Sequence, residues 1–235
     1  MMEDLSNILN AWPYEQGKLN VRTIEGVDGR EILQLRLELG IIQMELHGRP
    51  DGIKQNGYPS LLAFLQSNEI SGGLDSNICR QLREEGVQRS HRAAALFALS
   101  RWAEVIRDCD DNLELFNLCR SSAIELQDKN ALEQFRAAVI ALKARSAAEL
   151  ALANTSSIEA MAALDRGLSA LEEALGQDFM SSNEAQLLQG MKEALFPQLP
   201  TSEKVDLQER LKVAISNENY ELAAILRDEI RLLPD

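Results

Sequence analysis

The chain of 235 residues carries 24 Lys and Arg against 37 Asp and Glu, a net charge of −13. Its 45 % hydrophobic and 26 % charged content suits a soluble chain with a buried core, and the acidic balance repels phosphate backbones, so autonomous non-specific DNA binding is not expected without a local basic patch. Three cysteines without a Cys-x-x-Cys pair exclude a disulfide framework and a cysteine zinc site, and fit a reducing, cytoplasmic setting.

The first region, 1–57, holds more than half of the 13 glycines. Within it Leu33, Leu35, Leu37 and Leu39 alternate with polar residues, and Ile42, Met44 and Leu46 continue the alternation. Spacing two favours strands with one wet face. Leu35, Leu39, Ile42 and Leu46 also fit a helical face, but Asp28-Gly29 and Arg49-Pro50-Asp51-Gly52 are turn signals that decide for strands. The expectation is an antiparallel meander over 20–25, 31–39 and 41–47, packed on the helices that follow, with β structure confined to residues before 58.

The second region, 58–196, reads as nearly continuous helix: 59–67, 75–99 with a break at Gly86, 102–127, 130–153, 157–175 and 182–195. Ser156-x-x-Glu159 and Ser181-x-x-Glu184 have the spacing of capping boxes, Asn154 ends one helix and Gly176 stops another. Short links between long helices make antiparallel neighbours. The run Asp108-Cys109-Asp110-Asp111 lacks the oxygen spacing and glycine turn of a calcium loop and reads as a solvated face. Arg101, Arg107, Arg120 and Arg136 either line a groove or pair with nearby carboxylates. Cys109 and Cys119 read as small core hydrophobes. His47 and His91 have no metal-ligand spacing, and no catalytic set can be assembled.

Residues 95–115, with Ala95, Ser100-Arg101-Trp102 at a turn, Val105 and Asn112 before Leu113, resemble the middle of a tetratricopeptide repeat. The usual turn residues there are Gly-Asp-Tyr, and Asn112 stands where alanine is usual. The resemblance implies a stack of helical hairpins whose small residues permit close approach. The pair 130–153 and 157–175 is rich in alanine but exceeds the ~34-residue period of that repeat.

Pro197-Gln198-Leu199-Pro200-Thr201-Ser202 reads as a linker, because two prolines in four residues break a helix. Beyond it, 203–235 reads as a two-helix unit over about 203–216 and 219–233. Leu207, Leu211, Ala214 and Ile215 form one stripe, and Leu222, Ala223, Leu226, Ile230 and Leu233 form another. These make the hairpin seam. Ile225 and Leu232 lie on a different face. A hairpin of about 30 residues buries too little surface to stand alone, so that second face needs a cover: this chain's helices, a second copy or another protein.

Leu207, Leu211, Ala214, the turn Glu218-Asn219-Tyr220-Glu221, Ala223-Ala224 and Leu226-Arg227-Asp228-Glu229-Ile230 together resemble the UVR motif. That motif is shared by the UvrB and UvrC subunits of bacterial excision nuclease, a Clp-type ATPase family and activators of a bacterial protein-arginine kinase. The zinc-binding cysteine pairs of the activators are absent here. The resemblance implies protein–protein contact, with Tyr220, Ile225, Arg227, Asp228 and Leu232 as the partner-binding residues.

The fold class expected is mainly α (α+β): a meander, a tetratricopeptide-like stack and a UVR hairpin. The function expected is a non-enzymatic adaptor without cofactor or metal. Its partner is a protein, with another UVR-bearing chain or a second copy as candidates. Direct nucleic-acid or membrane contact is not expected, since no segment is net basic and no run approaches the ~20 apolar residues of a span. The acidic start Met1-Met2-Glu3-Asp4 is unlike a signal peptide. The alternative is an accessory factor of bacterial nucleotide excision repair.

Overall fold

The computed structural model describes residues 4–68, 70 and 72–195, and beyond them 211, 212, 215, 222 and 225–227. Two compact units divide the chain, 1–192 and 193–235. The expected linker 197–202 lies outside the described residues.

Alternation and turn chemistry agree in the N-terminal region, and a meander results. Strands β1 (Asn20–Glu25), β2 (Glu31–Leu37) and β3 (Gly40–Glu45) form one antiparallel sheet in that order. Gly29 takes φ +77° in the first turn, a conformation that costs glycine little. On the core face Val21 pairs with Leu35 and Leu35 with Ile42, while Thr23 pairs with Leu33 and Leu33 with Met44. The other face is wet only toward its edge at Gln43, and its middle is covered, which corrects the expectation. Gln34 and Arg36 are both buried. Arg22 Nε donates to Gln34 Oε1 at 2.9 Å, and Gln34 Nε2 donates to Gln43 Oε1 at 2.9 Å. Trp12, just after a helix the sequence did not announce, α1 (Ser6–Ala11), covers this polar ladder. The Arg22 guanidinium lies 4.1 Å from the Trp12 ring centroid, and Arg36 Nε donates to the Trp12 carbonyl at 3.0 Å. The second strand ends at Leu37, before Leu39, because Arg36 donates to the carbonyls of Leu37, Glu38 and Gly40 and closes a turn there. Leu39 is therefore exposed.

The helices follow as α2 (Leu61–Ser67), α3 (Ser76–Ala98), α4 (Trp102–Ser122), α5 (Leu126–Asn130), α6 (Arg136–Ala153), α7 (Ser157–Leu175) and α8 (Asn183–Leu195). Ser60 caps α2 by accepting from Ala63 N–H, and Asp75 caps α3 by accepting from Ile78 N–H. Gly86 does not break α3. A Cβ there would lie 3.5 Å from Asn112 Oδ1 and 3.7 Å from Leu115 Cδ1, so the glycine sits at a close approach to α4. Its helix penalty of about 1 kcal/mol is absorbed by a helix of 23 residues. The expected helices 102–127 and 130–153 are both shorter than read, while 157–175 is found at full length. After α4 the chain turns extended at Ala123, which forms a parallel bridge with Leu74, so β pairing is not wholly confined to residues before 58. The next long helix begins only at Arg136, after a 3-10 turn at Glu133–Phe135. Asp128 on α5 accepts from Ser76 Oγ and Arg83 Nη1, both at 2.6 Å, and these two groups hold its carboxyl below the ordinary range.

The caps are half as read. Ser156 Oγ accepts from Glu159 N–H, whereas the cap before α8 is Ser182, accepting from Ala185 N–H, and not Ser181. Ser181 instead donates to the Asp178 carbonyl inside a 3-10 turn, Gly176–Ser181. Gly176 ends α7 at φ +54°.

α3 packs on α4, α4 on α6 and α6 on α7. One core holds Leu33, Leu35 and Met44 of the sheet with Leu62 and Leu65 of α2, Leu82 and Leu96 of α3, and Val105 and Leu115 of α4. The sheet thus covers its apolar face on the helices, as three strands alone cannot.

The α6–α7 turn contains a strained residue. Asn154 ends α6, but Thr155 takes φ +60°, a left-handed conformation costly for a β-branched side chain. Thr155→Gly should stabilise the chain by about 1 kcal/mol in urea denaturation. An unchanged midpoint would mean that the Thr155 Oγ1 bond to the Asn154 carbonyl offsets the strain.

Candidate interaction site

Charge is buried between α3 and α4 where the sequence suggested a solvated face. Asp108 is 0 % exposed. Arg92 grips it with both arms, Nε to Oδ2 at 2.8 Å and Nη2 to Oδ1 at 2.6 Å. The third arm donates to the Glu45 carbonyl at 2.7 Å, and Arg107 donates to the neighbouring Leu46 carbonyl at 2.7 Å. One turn earlier on α3, Arg89 pairs with Glu85 and with Asp111, and Glu85 accepts from the Leu61 N–H at 2.9 Å. Burial pushes the Asp111 carboxyl above its ordinary value despite Arg89. Asp110 and Asp111 of the acidic run both reach solvent in part, Asp110 paired with Lys143 and Asp111 with Arg89. The cause is the hairpin register: Arg89 and Arg92, three apart on α3, meet Asp111 and Asp108, three apart on the antiparallel α4. Ion pairing makes burial of these charges tolerable.

The four arginines that were candidates for a groove are paired. Arg101 binds Glu31 and Glu104, Arg107 reaches Asp108 at 3.6 Å, and Arg120 and Arg136 both reach Glu133. Cys79, Cys109 and Cys119 are buried free thiols. Burial pushes Cys109 and Cys119 up to about 12, so neither is a nucleophile near neutral pH. Among the described residues no group of three His, Cys, Asp or Glu is placed to hold a metal ion. Among them, too, no helix is long and apolar enough to cross a membrane.

In the C-terminal unit, residues 211, 212, 215, 222 and 225–227 are helical. Leu226 is 2 % exposed and its neighbour Ile225 is 58 % exposed. A step of ~100° along a helix separates the two side chains. Ile215 and Leu222, both placed in the seam by the stripe count, are instead exposed. For Leu222 the helical wheel explains this: it lies ~40° from Leu226 but only ~60° from Ile225, between the buried and exposed sides. Arg227 is exposed. Tyr220, Asp228 and Leu232, the expected turn Glu218-Asn219-Tyr220-Glu221 and the ends of both expected helices lie outside the described residues.

Three large apolar side chains thus meet solvent within one short segment. That segment also matches a known family. A family model described as the UvrB/uvrC motif, UVR, matches residues 201–233. No curated protein and no solved structure matches the chain. The UVR resemblance of the residue pattern therefore holds for residues 201–233, and the match does not extend to the helical hairpins before them.

Proposed function

We propose that this chain is a non-enzymatic adaptor that binds a protein partner through its UVR segment. The observation that carries the reading is the exposure of Ile215, Leu222 and Ile225 inside residues 201–233. Exposed apolar residues that cluster in a recognised segment suit an interface better than a solvated surface. Ile225, Arg227, Tyr220, Asp228 and Leu232 make the contact. The partner is a second helical hairpin of the same class, on another UVR-bearing protein or a second copy of this chain. The tetratricopeptide-like hairpins and the meander form the body that carries this segment. Three buried free thiols support work in a reducing, cytoplasmic setting. The net charge of −13 disfavours direct contact with nucleic acid. A role beside the excision nuclease is the second reading, favoured by the UvrB/uvrC match, with DNA contact left to the partner.

Cross-linking and pull-down with the intact chain, read by mass spectrometry, test this. Ile225→Asp should abolish capture of a UVR-bearing partner while the circular dichroism and melting temperature stay unchanged. Leu226→Ala should lower stability and capture together, because Leu226 is buried and truncation of a buried leucine costs about 2–5 kcal/mol. If Ile225→Asp destabilises the free chain as much as Leu226→Ala does, the outer face is packed internally and the adaptor reading fails.

A further inference from the structure

α4 and α7 both pack on α6, and a groove runs between them over α6. One part of it is a hollow of about 330 Å³, lined by Ile106 and Leu113 of α4, Ile140 and Lys143 of α6 and Arg166 of α7 among others. Lys143 and Arg166 are the only polar side chains among the described residues of that wall, and both are cations. In a chain of net charge −13 such a wall runs against the average. Arg166 is exposed and has no hydrogen bond or ion pair among the described residues. The acid next to it, Asp165, is taken by Lys192. Lys143 is paired with Asp110, but both side chains are nearly half exposed, so that pair is weak and yields to a competitor. Beyond Arg166 the groove continues as a second hollow of about 240 Å³, which shares Ala147 and Arg166 with the first and reaches Asn154 and Glu159.

We propose that this groove binds a small amphipathic carboxylate, its anionic end held by Arg166 and Lys143 and its hydrocarbon body laid on Ile106, Leu113 and Ile140. Charge comes first: two cations with no acid among the described residues of the same wall favour an anion and disfavour a cation. Glu159 stands at the far end of the second hollow, so the anionic end belongs with Lys143. Hydrogen bonding comes second: the walls are helix flanks, whose peptide N–H groups are already bonded within their helices, so donors come from these two side chains. The planar guanidinium of Arg166 matches a carboxylate with two parallel bonds. A bare inorganic anion would leave the aliphatic wall wet, and an extended peptide would bring backbone groups that this wall cannot pair. Size comes third: the volume is at the lower end of small-molecule sites, which run about 300–1,000 Å³. Ile106 and Leu113 are partly exposed, so an occupant covers apolar surface that solvent now touches. This site is independent of the UVR segment and of the adaptor reading.

Octanoate, octylammonium and acetate test it on the full chain, because the first two share a hydrocarbon chain and differ in charge, while acetate is the anionic end alone. Titration calorimetry should show octanoate binding at least tenfold tighter than octylammonium, and acetate should not saturate. Methyl resonances of Ile106, Leu113 and Ile140 should shift as octanoate saturates. Arg166→Met should lower octanoate affinity at least tenfold with an unchanged melting temperature, since the position is exposed, and Arg166→Lys should retain most of the binding. Ala147→Trp, which fills the junction of the two hollows, should abolish it. The wild-type comparison decides the matter even if a variant does not fold. Failure of octanoate to saturate at millimolar concentration, equal binding of octylammonium, shifts confined to other methyl groups, or unchanged affinity in Arg166→Met would overturn the inference. A groove that takes a helical protein segment instead would leave these methyl resonances unmoved by octanoate, and the inference would fail in the same way.

Discussion

Replacing Arg92 by methionine should cost about 3–5 kcal/mol in urea denaturation, the largest loss expected from any single charge among the described residues. The pair it breaks is wholly buried, with both Arg92 and Asp108 side chains at 0 % exposure. Removing the guanidinium leaves a carboxylate in low dielectric, facing only Arg107 at 3.6 Å. It also leaves the Glu45 carbonyl without its donor, which loosens the sheet where β3 ends. Asp108→Leu should cost a similar amount, because it strands the buried guanidinium. The double variant Arg92→Met with Asp108→Leu removes both charges and should recover most of the loss, leaving about 1 kcal/mol for the unpaired Glu45 carbonyl. Arg80–Glu84 is the control. It has the same chemistry one face away on α3, but both side chains are more than half exposed. Exposed pairs of this spacing are worth about 0.3–0.5 kcal/mol, so Arg80→Met should be nearly silent. A cost below about 1 kcal/mol for Arg92→Met would mean that water reaches the pair.

The contrast between these two arginines shows what was and was not legible in the chain. Strand period and turn chemistry pointed the same way at Leu33–Leu37 and Asp28-Gly29, and the meander followed within two residues at each end. Helix starts were legible where a side chain caps them, as at Ser156, and less so where a 3-10 turn intervenes, as before Arg136. The first helix was illegible for a physical reason: its six residues bury nothing and carry no side-chain cap. Asp108, and in part the half-buried Asp111, were misread because a charged residue considered alone belongs in water. Their signal was relational, two arginines three apart facing two aspartates three apart across a hairpin turn at Ser100, which takes φ +57°. The UVR segment was legible because its pattern is dense. The division of its apolar residues into buried and exposed was only partly so, since a wheel count places Leu222 on the boundary. Asn112 carried a signal too, a polar residue where alanine is usual in the repeat that 95–115 resembles, but only the geometry shows that its oxygen is left without a donor.

Gly167→Ala should destabilise the chain by about 3 kcal/mol, at the upper end of what overpacking costs, and the size follows from one distance. A Cβ added at Gly167 on α7 would stand 2.3 Å from the Ala144 Cβ on α6 and 3.0 Å from Leu188 Cδ1 on α8. The leucine can swing its terminal methyl aside. The alanine cannot, because its Cβ is fixed to the helix backbone, and so α6 and α7 must move apart. That shift is felt along the whole contact, which is built from small residues: Ala141, Ala144, Ala148 and Ala151 are buried on α6, and Ala160 and Ala163 on α7. Each loses dispersion contacts when the helices separate, with no longer side chain to fill the gap. The conformational argument runs the other way, since Gly167 is mid-helix and alanine is favoured there by about 1 kcal/mol. The steric term outweighs it. The rescue is specific: Ala144→Gly on its own should cost about 1 kcal/mol of helix propensity, yet combined with Gly167→Ala it should restore most of the lost stability by exchanging which helix provides the missing Cβ. Thermal melts of the four chains close the cycle. Simple addition of the two single losses would show that the helices do not meet at Gly167, and a recovery of at least 2 kcal/mol would show that close approach there, rather than alanine content as such, holds α7 against α6.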